Sequence, residues 1–460
     1  MNRRGRFLLA VSAASTGLAT ACFLGGFRGV IYDSFHYITL SRIISSEGLW
    51  DLYSRYRTYG YPLFVSLVIG FRDTSDGTTR ALVFAAQLLV YLAASFYAAR
   101  VAERVFGSPR FFFGTYLALA LNPIALIRTT ELLSDLLSAV LLALALFVSL
   151  ERSRPTRRAF LAFLALGLSI AVRPANLAVL PALAILWLFR GRLYGERMRQ
   201  VLLPAAAALM LSLAPQLLSN VRAYDAWNPL LVDRLYANQV SWGMAILKYG
   251  TIVADGVEPQ LEYRNPFYSP DMSSPREFLA RKPGGYLKTL AMHGFGLVDQ
   301  DHAFTYIQSA RPWYRWPLSL LNYAFLFLAL FGLAAGSGLS FVHSASGLSG
   351  QNPDLTPGGG SQGRREAAPR LYFAGAFLVS LAYVAIYLPV AVENRFSTPL
   401  YLVLAPAAVM GVDWLSRRRS GTVVAVAIAG GGFIAICVQL SLWLSRQAPA
   451  LAALAALAGR

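Results

Sequence analysis

Six charged side chains sit where long apolar stretches end, and their types suit proton transfer, metal ligation or ion pairing. Asp33 lies just past the first apolar run, in Ile31-Tyr32-Asp33-Ser34-Phe35-His36-Tyr37. A carboxylate near lipid is costly to hold, so it has a function or a partner; the plainer reading is a helix N-cap. Glu131 and Asp135 follow a second run, spaced as one helical turn, which places them on one face. Such a pair can ligate a metal or hold an arginine such as Arg128. Arg173 and the corner Glu393-Asn394-Arg395 complete the set. An arginine at a helix end can also simply reach for the interface, and Glu393 and Arg395 can pair with each other.

The elements that must position these groups are membrane helices. The chain has 460 residues, 56% hydrophobic and 14% charged, against roughly 25% charged in soluble domains. The deficit runs along most of the length, so the chain is a polytopic membrane protein. Runs of about 20 apolar residues occur near 7–27, 80–99, 111–128, 132–150, 159–173, 175–189, 200–220, 316–338, 371–391, 397–415 and 421–444, two of them short. The expected fold is all-α, with about eleven spans, outer juxtamembrane helices and one large periplasmic loop.

The net charge of +18 does not point to nucleic acid. Twenty of the 41 basic residues fall in six short segments at every second gap between apolar runs, the positive-inside pattern. Reading Tyr61 to Phe71 as an outer juxtamembrane helix keeps that pattern along the whole chain. It places the N-terminus in the cytoplasm and residues 28–79 and 221–315 outside. Three divisions follow: a module 1–220 containing the outer loop 28–79, a folded outer segment 221–315, and helices 316–460 with a Gly/Ser-rich cytoplasmic linker, 339–369. Cys22 and Cys437 lie far apart in apolar runs, and the four histidines lack metal-ligand spacing. The charged residues gather at outer helix ends, whereas a transporter places charge near the midplane. That favours an enzyme working at the outer membrane–water boundary; the expected location is a bacterial inner membrane.

Four local patterns in common order resemble the GT-C superfamily of integral-membrane glycosyltransferases. The likeness is to members that use polyprenyl- or dolichyl-phosphate sugars, such as protein mannosyltransferases and the lipid A aminoarabinose transferase. Asp33 and Tyr37, followed by Glu47-Gly48-Leu49-Trp50, resemble that family's first outer loop. Arg57-Thr58-Tyr59-Gly60-Tyr61-Pro62-Leu63-Phe64 is similar to its R-x-P-G-Y-P-L segment, with Tyr59 in place of the proline. Asn122-Pro123, Thr130 to Asp135 and Arg173-Pro174 form the third pattern. Glu393-Asn394-Arg395-Phe396 with Pro399 is similar to E-x-R-Y-x-x-P. Many relatives carry an acidic pair where this chain has Asp33-Ser34. The likeness covers 1–190 and 371–415.

The resemblance implies an inverting, single-displacement transfer of a hexose or pentose from a polyprenyl-phosphate donor to a glycan, lipid or protein acceptor. Asp33 would be the general base, with Glu131 or Asp135 as a second acidic site and a divalent cation as an optional cofactor. Arg173 and Arg395 would meet the departing phosphate, with Arg57, Tyr61, Lys288 and His302 as further binding residues. The competing expectations are a flippase or transporter of lipid-linked sugars and a non-catalytic envelope-assembly subunit.

Overall fold

In the computed structural model, residues 2–458 are described apart from 28, 53, 255–256, 258 and 347–359. Helices make up most of the chain. Nine of them, among the described residues, are long and apolar enough to cross a membrane. A tenth span results if Pro109–Ala120 and Pro123–Thr130, bent by 48° at their junction, are counted together. Asn122-Pro123 explains the bend. The Asn122 side chain caps the second helix by accepting from Ile124 and Ala125 N–H, and proline opens its first turn. The remaining expected span, 132–150, is a helix of 16 residues, Asp135–Leu150, short of the roughly 20 needed to cross. It forms the axis of the main apolar core.

The stretch from Tyr61 is a nine-residue helix, Gly60–Val68, too short to span. Gly60 is required by packing: a Cβ there would stand 2.6 Å from the Ala171 backbone. That contact draws the Arg57 segment against the end of helix Pro155–Val172, where Arg173 stands. Of the Gly/Ser-rich stretch 339–369, residues 347–359 lie outside the described part. Helices Arg315–Ser346 and Gly360–Tyr387 run into its two ends.

A purely helical expectation needs one correction. Three strands, β1 (Ile246–Ile252), β2 (Gln260–Arg264) and β3 (Tyr306–Ile307), form a small sheet in the order β2-β1-β3. β1 and β2 run antiparallel, and β1 and β3 parallel. β1 reaches the Glu393 corner, where Tyr249 N–H donates to Val392 O at 2.9 Å. Segment 221–315 therefore packs directly on the membrane helices. The sheet is anchored by a buried ionic knot. Lys248 contacts Asp301 and, at 3.4 Å, Asp299; Tyr263 donates to Asp301, and Tyr323 to Asp299 at 2.7 Å. Removing the cation would leave two carboxylates buried and unmatched. Lys248→Met should cost about 3–5 kcal/mol, read as lowered thermal unfolding of the purified protein; an unchanged melting curve would show the knot contributes nothing.

Candidate functional site

Four helix breaks meet at one end of the bundle, and each delivers a charged side chain. Asp33 is in the first turn of helix Tyr32–Glu47; the residue before it, Tyr32, has the left-handed φ of 48°. Asp33 is therefore not the N-cap, which is Ile31. Asp135 opens helix Asp135–Leu150. Arg173, held extended by the proline that follows it, ends helix Pro155–Val172. Arg395 lies in the 3-10 turn Asn394–Ser397 that leads into helix Thr398–Ser416.

These groups interlock. Arg57 and Arg395 both bond Asp33, the second at 3.1 Å. Arg395 also pairs with Glu393 and stands 3.7 Å from Asp135. Arg173 bonds Asp135 and donates from Nε to the Tyr387 hydroxyl at 2.9 Å. Its guanidinium lies 4.3 Å from the centre of the Phe396 ring. Three arginines thus face three carboxylates. The cluster is not sealed: the side chains of Asp33 and Arg57 are 29% and 24% exposed.

The two acidic ends of the cluster differ. Burial raises the Asp33 carboxyl, but the Arg395 and Arg57 charges outweigh it and hold the group below its ordinary range. Burial pushes Glu393 from its ordinary 4.5 to about 7; Arg395 opposes this, while Asp33 and Asp135 add to it. The proton on Glu393 is thus held more tightly in the fold than in the unfolded chain. The stability this confers is full below about pH 4.5 and is lost as pH rises through about 7. Glu393→Gln should flatten the thermal-stability profile across that window; a profile of unchanged slope would show that another group titrates there.

Several sequence expectations change. Glu131 and Asp135 do not share a helical face, because the helix ends at Thr130 and restarts at Asp135. Glu131 instead accepts from Arg128 at 2.8 Å and from Thr305 N–H at 2.6 Å, while Arg128 reaches Asn394. It holds strand β3 to the membrane helices. Tyr61 is fully buried, stacked edge-on against Tyr37 at 4.7 Å, and backs the wall behind Arg57. Lys288 does not join the arginines; it is exposed, 5.7 Å from the Phe267 ring. His302 is buried in an adjoining recess. His293 bridges Leu388 O and Ile246 O, a tie between helices and sheet. Among the described residues, no group of three or more His, Cys, Asp or Glu side chains is placed to hold a metal. The charge standing among the carboxylates is Arg395. Lys248, Asp301 and Thr305, which line a recess beside Glu393, and Asp299, which pairs with Lys248, were missed by sequence reading, since polar residues in a polar segment carry no mark of burial.

Two recesses flank strand β3. One is lined by Ser34, Arg80, Glu131 and Tyr306 with Phe27, Val30, Leu132 and Phe304. The other lies behind Glu393.

The fold is similar to that of solved oligosaccharyltransferase structures, in line with the GT-C-like fold that the sequence resemblance implied. It is similar to the crystal structure of the apo oligosaccharyltransferase of Archaeoglobus fulgidus, with a TM-score of 0.50 and 12% identity over 96% of this chain and 56% of that one. The same archaeal enzyme in complex with an inhibitory peptide and a dolichol-phosphate matches at 0.50 and 12%, over 99% and 56%. Its complex with zinc and sulfate matches at 0.50 and 13%, over 95% and 53%. The chain thus spans about half the length of the structures it resembles. No family model and no curated protein matches the sequence.

Proposed function

We propose that the chain is a membrane glycosyltransferase that moves a sugar from a polyprenyl-phosphate donor to an acceptor hydroxyl or amine, on the outer face of a bacterial inner membrane. The observation that carries this reading is the convergence of Arg57, Arg173 and Arg395 around Asp33 at broken helix ends. Arginine forks suit a phosphate better than any other side chain. With Glu393 protonated, the cluster carries one net positive charge and attracts an anionic headgroup. Likeness to a fold that holds dolichol-phosphate supports the same donor class.

Asp33 is the base in this scheme, and its neighbours explain how it is switched on. Tied to two arginines, it is a weak proton acceptor. A donor phosphate competes for Arg57 and Arg395, frees the carboxylate and raises its proton affinity. The acceptor hydroxyl then attacks the anomeric carbon as its proton passes to Asp33. The sugar–oxygen bond breaks, and the electron pair leaves on the polyprenyl phosphate, stabilised by the arginines.

Purified protein given a polyprenyl-phosphate sugar and candidate acceptors should release polyprenyl phosphate with formation of a glycosylated product. Release of neither, or lipid movement between leaflets without bond cleavage, would overturn the assignment. Sidedness is tested separately. Cysteines replacing Ser45 and Ser273 should both label from outside the cell; opposite sidedness sinks the proposed threading.

A further inference from the structure

Arg57 reaches Asp33 from residues 54–59, a stretch that is neither helix nor strand. A long side chain is only as well placed as its backbone, and a fork that meets a phosphate depends on alignment. The backbone here is fixed by the C-terminal half of the membrane helix Arg199–Tyr224. Residues 212, 216 and 219, at spacings of four and three, share one face of that helix. Tyr59 donates from its hydroxyl to Ser212 O at 2.5 Å and from its N–H to Gln216 Oε1 at 2.9 Å. Ser219 donates to Leu52 O at 2.8 Å, and Arg222 pairs with Asp51 at 3.0 Å. We propose that Gln216 is a positioning residue: acting through the Tyr59 backbone, it holds Arg57 where that arginine meets Asp33 and the donor phosphate.

The hydrogen bonds around Gln216 leave its amide one orientation. Tyr59 N–H can only donate, so the Gln216 oxygen faces it. Gln216 Nε2 donates to Asn220 Oδ1 at 2.8 Å. Asn220 Nδ2 donates in turn to Asn228 O at 2.6 Å and Leu230 O at 2.7 Å, which can only accept. Both side chains are buried, and neither can turn without losing a partner. The path then returns, because Asp233 N–H donates to Arg55 O at 3.3 Å. The bonds thus grip the chain on both sides of Arg57, at Arg55 and at Tyr59.

The backbone angle shows what the tie replaces. Tyr59 has a φ of −67°, the value a proline ring imposes, and proline stands at this position in the R-x-P-G-Y-P-L pattern that the segment resembles. Proline fixes that angle covalently and has no N–H. Tyrosine frees the angle and brings a donor that burial would leave unmet. Gln216 meets the donor and, in doing so, restores the constraint. Gly60, the next residue, rests against the Ala171 backbone, so there is no slack beyond Tyr59 to absorb a shift.

The part played in donor binding rests on the glycosyl-transfer reading; the placement of Arg57 does not. The test uses the full chain in lipid nanodiscs, with polyprenyl phosphate affinity, hydrogen exchange of residues 54–60 and thermal unfolding measured on each variant. Gln216→Leu, which leaves Tyr59 N–H without an acceptor, should weaken affinity about tenfold or more and speed exchange across 54–60. Gln216→Glu, whose neutral carboxyl keeps both an acceptor and a donor, should bind nearly as wild type. Ser219→Ala, which cuts a tie further from Arg57, should lower the melting temperature and leave affinity nearly unchanged. The deciding variant combines Gln216→Leu with Tyr59→Pro. It removes the orphaned N–H and fixes φ, so affinity should recover. It also deletes the packing of the tyrosine and its bond to Ser212, so the melting temperature should fall further. Stability and binding moving in opposite directions is a result that a merely structural Gln216 would not give. Four results would overturn the proposal: unchanged affinity in Gln216→Leu, an equal loss in Gln216→Glu, an equal loss in Ser219→Ala, or a folded double variant that binds no better than Gln216→Leu. If the double variant does not fold, the contrast between Gln216→Leu and Gln216→Glu decides. If wild-type protein binds no polyprenyl phosphate, the transferase reading fails and exchange decides alone. Faster exchange across 54–60 in Gln216→Leu then upholds the placement of Arg57, and unchanged exchange overturns it.

Discussion

Replacement of Asp33 by asparagine is expected to abolish sugar transfer while leaving a folded protein that still binds its donor. Amide and carboxylate have nearly the same shape, so the helix Tyr32–Glu47 keeps its first turn. What is lost is proton acceptance, worth 10²–10⁴-fold in rate where a side chain is the general base. The structural cost should be small. The Asp33–Arg57 pair is about a quarter exposed on both sides, and pairs open to water contribute about 1 kcal/mol or less. Donor affinity should be retained or improved, because Arg57 and Arg395 no longer have to leave a carboxylate to meet a phosphate. Turnover, thermal unfolding and lipid-phosphate binding on one preparation separate these effects. Well-folded Asp33→Asn protein with near-normal turnover would end the catalytic reading. A misfolded variant would show instead that Asp33 is chiefly an anchor for the two arginines.

Arg395→Ala should damage both fold and activity, which a residue serving only the donor would not do. Arg395 is the common partner of Asp33, Asp135 and Glu393. Asp33 keeps Arg57 and Asp135 keeps Arg173, but Glu393, with only 4% of its side chain exposed, is left without a cation. Breaking a buried pair in this way costs about 3–5 kcal/mol. The cost should depend on pH. At pH 6 Glu393 can take up a proton and escape much of the penalty; at pH 8 it must stay charged or bind its proton against the bulk. The drop in melting temperature should therefore be larger at pH 8. Arg395→Lys should recover part of the stability, since charge returns, and less of the transfer rate, since the two-pronged geometry does not. Equal, small shifts at both pH values would remove Arg395 from its place at the centre of the cluster.

The residues at the two ends of helix Asp135–Leu150 illustrate what can be read without a fold. The apolar run shows the helix, and the polar residues around it mark its ends. At its far end Arg190 bonds Glu151 O, and Arg104 bonds the Glu151 carboxylate at 2.9 Å. At its near end stand Asp135, Arg173 and Arg395. Both ends look alike in sequence, charged residues beside apolar runs. The ends differ in the openness of their carboxylates: the Glu151 side chain is 6% exposed, that of Asp33 29%. Spacing also misled where a helix was broken. Glu131 and Asp135 are four positions apart, yet the break between Thr130 and Asp135 sends one carboxylate to Arg128 and the other to Arg173.

Composition and hydrophobic periodicity by themselves determined the membrane class, the helical elements and the breaks where charge accumulates, because these depend on neighbours within a turn or two of chain. The proline and asparagine signals at Asn122-Pro123 and Arg173-Pro174 belong to the same local physics. Strand β1 was hidden because its burial does not alternate, so it lacks the period of two that marks a strand. Which charges meet was decided by packing alone. Asp33 and Arg395 are 362 positions apart, and no periodicity relates them; close approaches such as that of Gly60 to the Ala171 backbone set their separation. The Lys248 knot and the recess beside His302 come from the same source. A charged residue in a polar segment costs nothing until tertiary contacts remove its water, and burial of that kind is a property of the assembled fold, not of the local sequence.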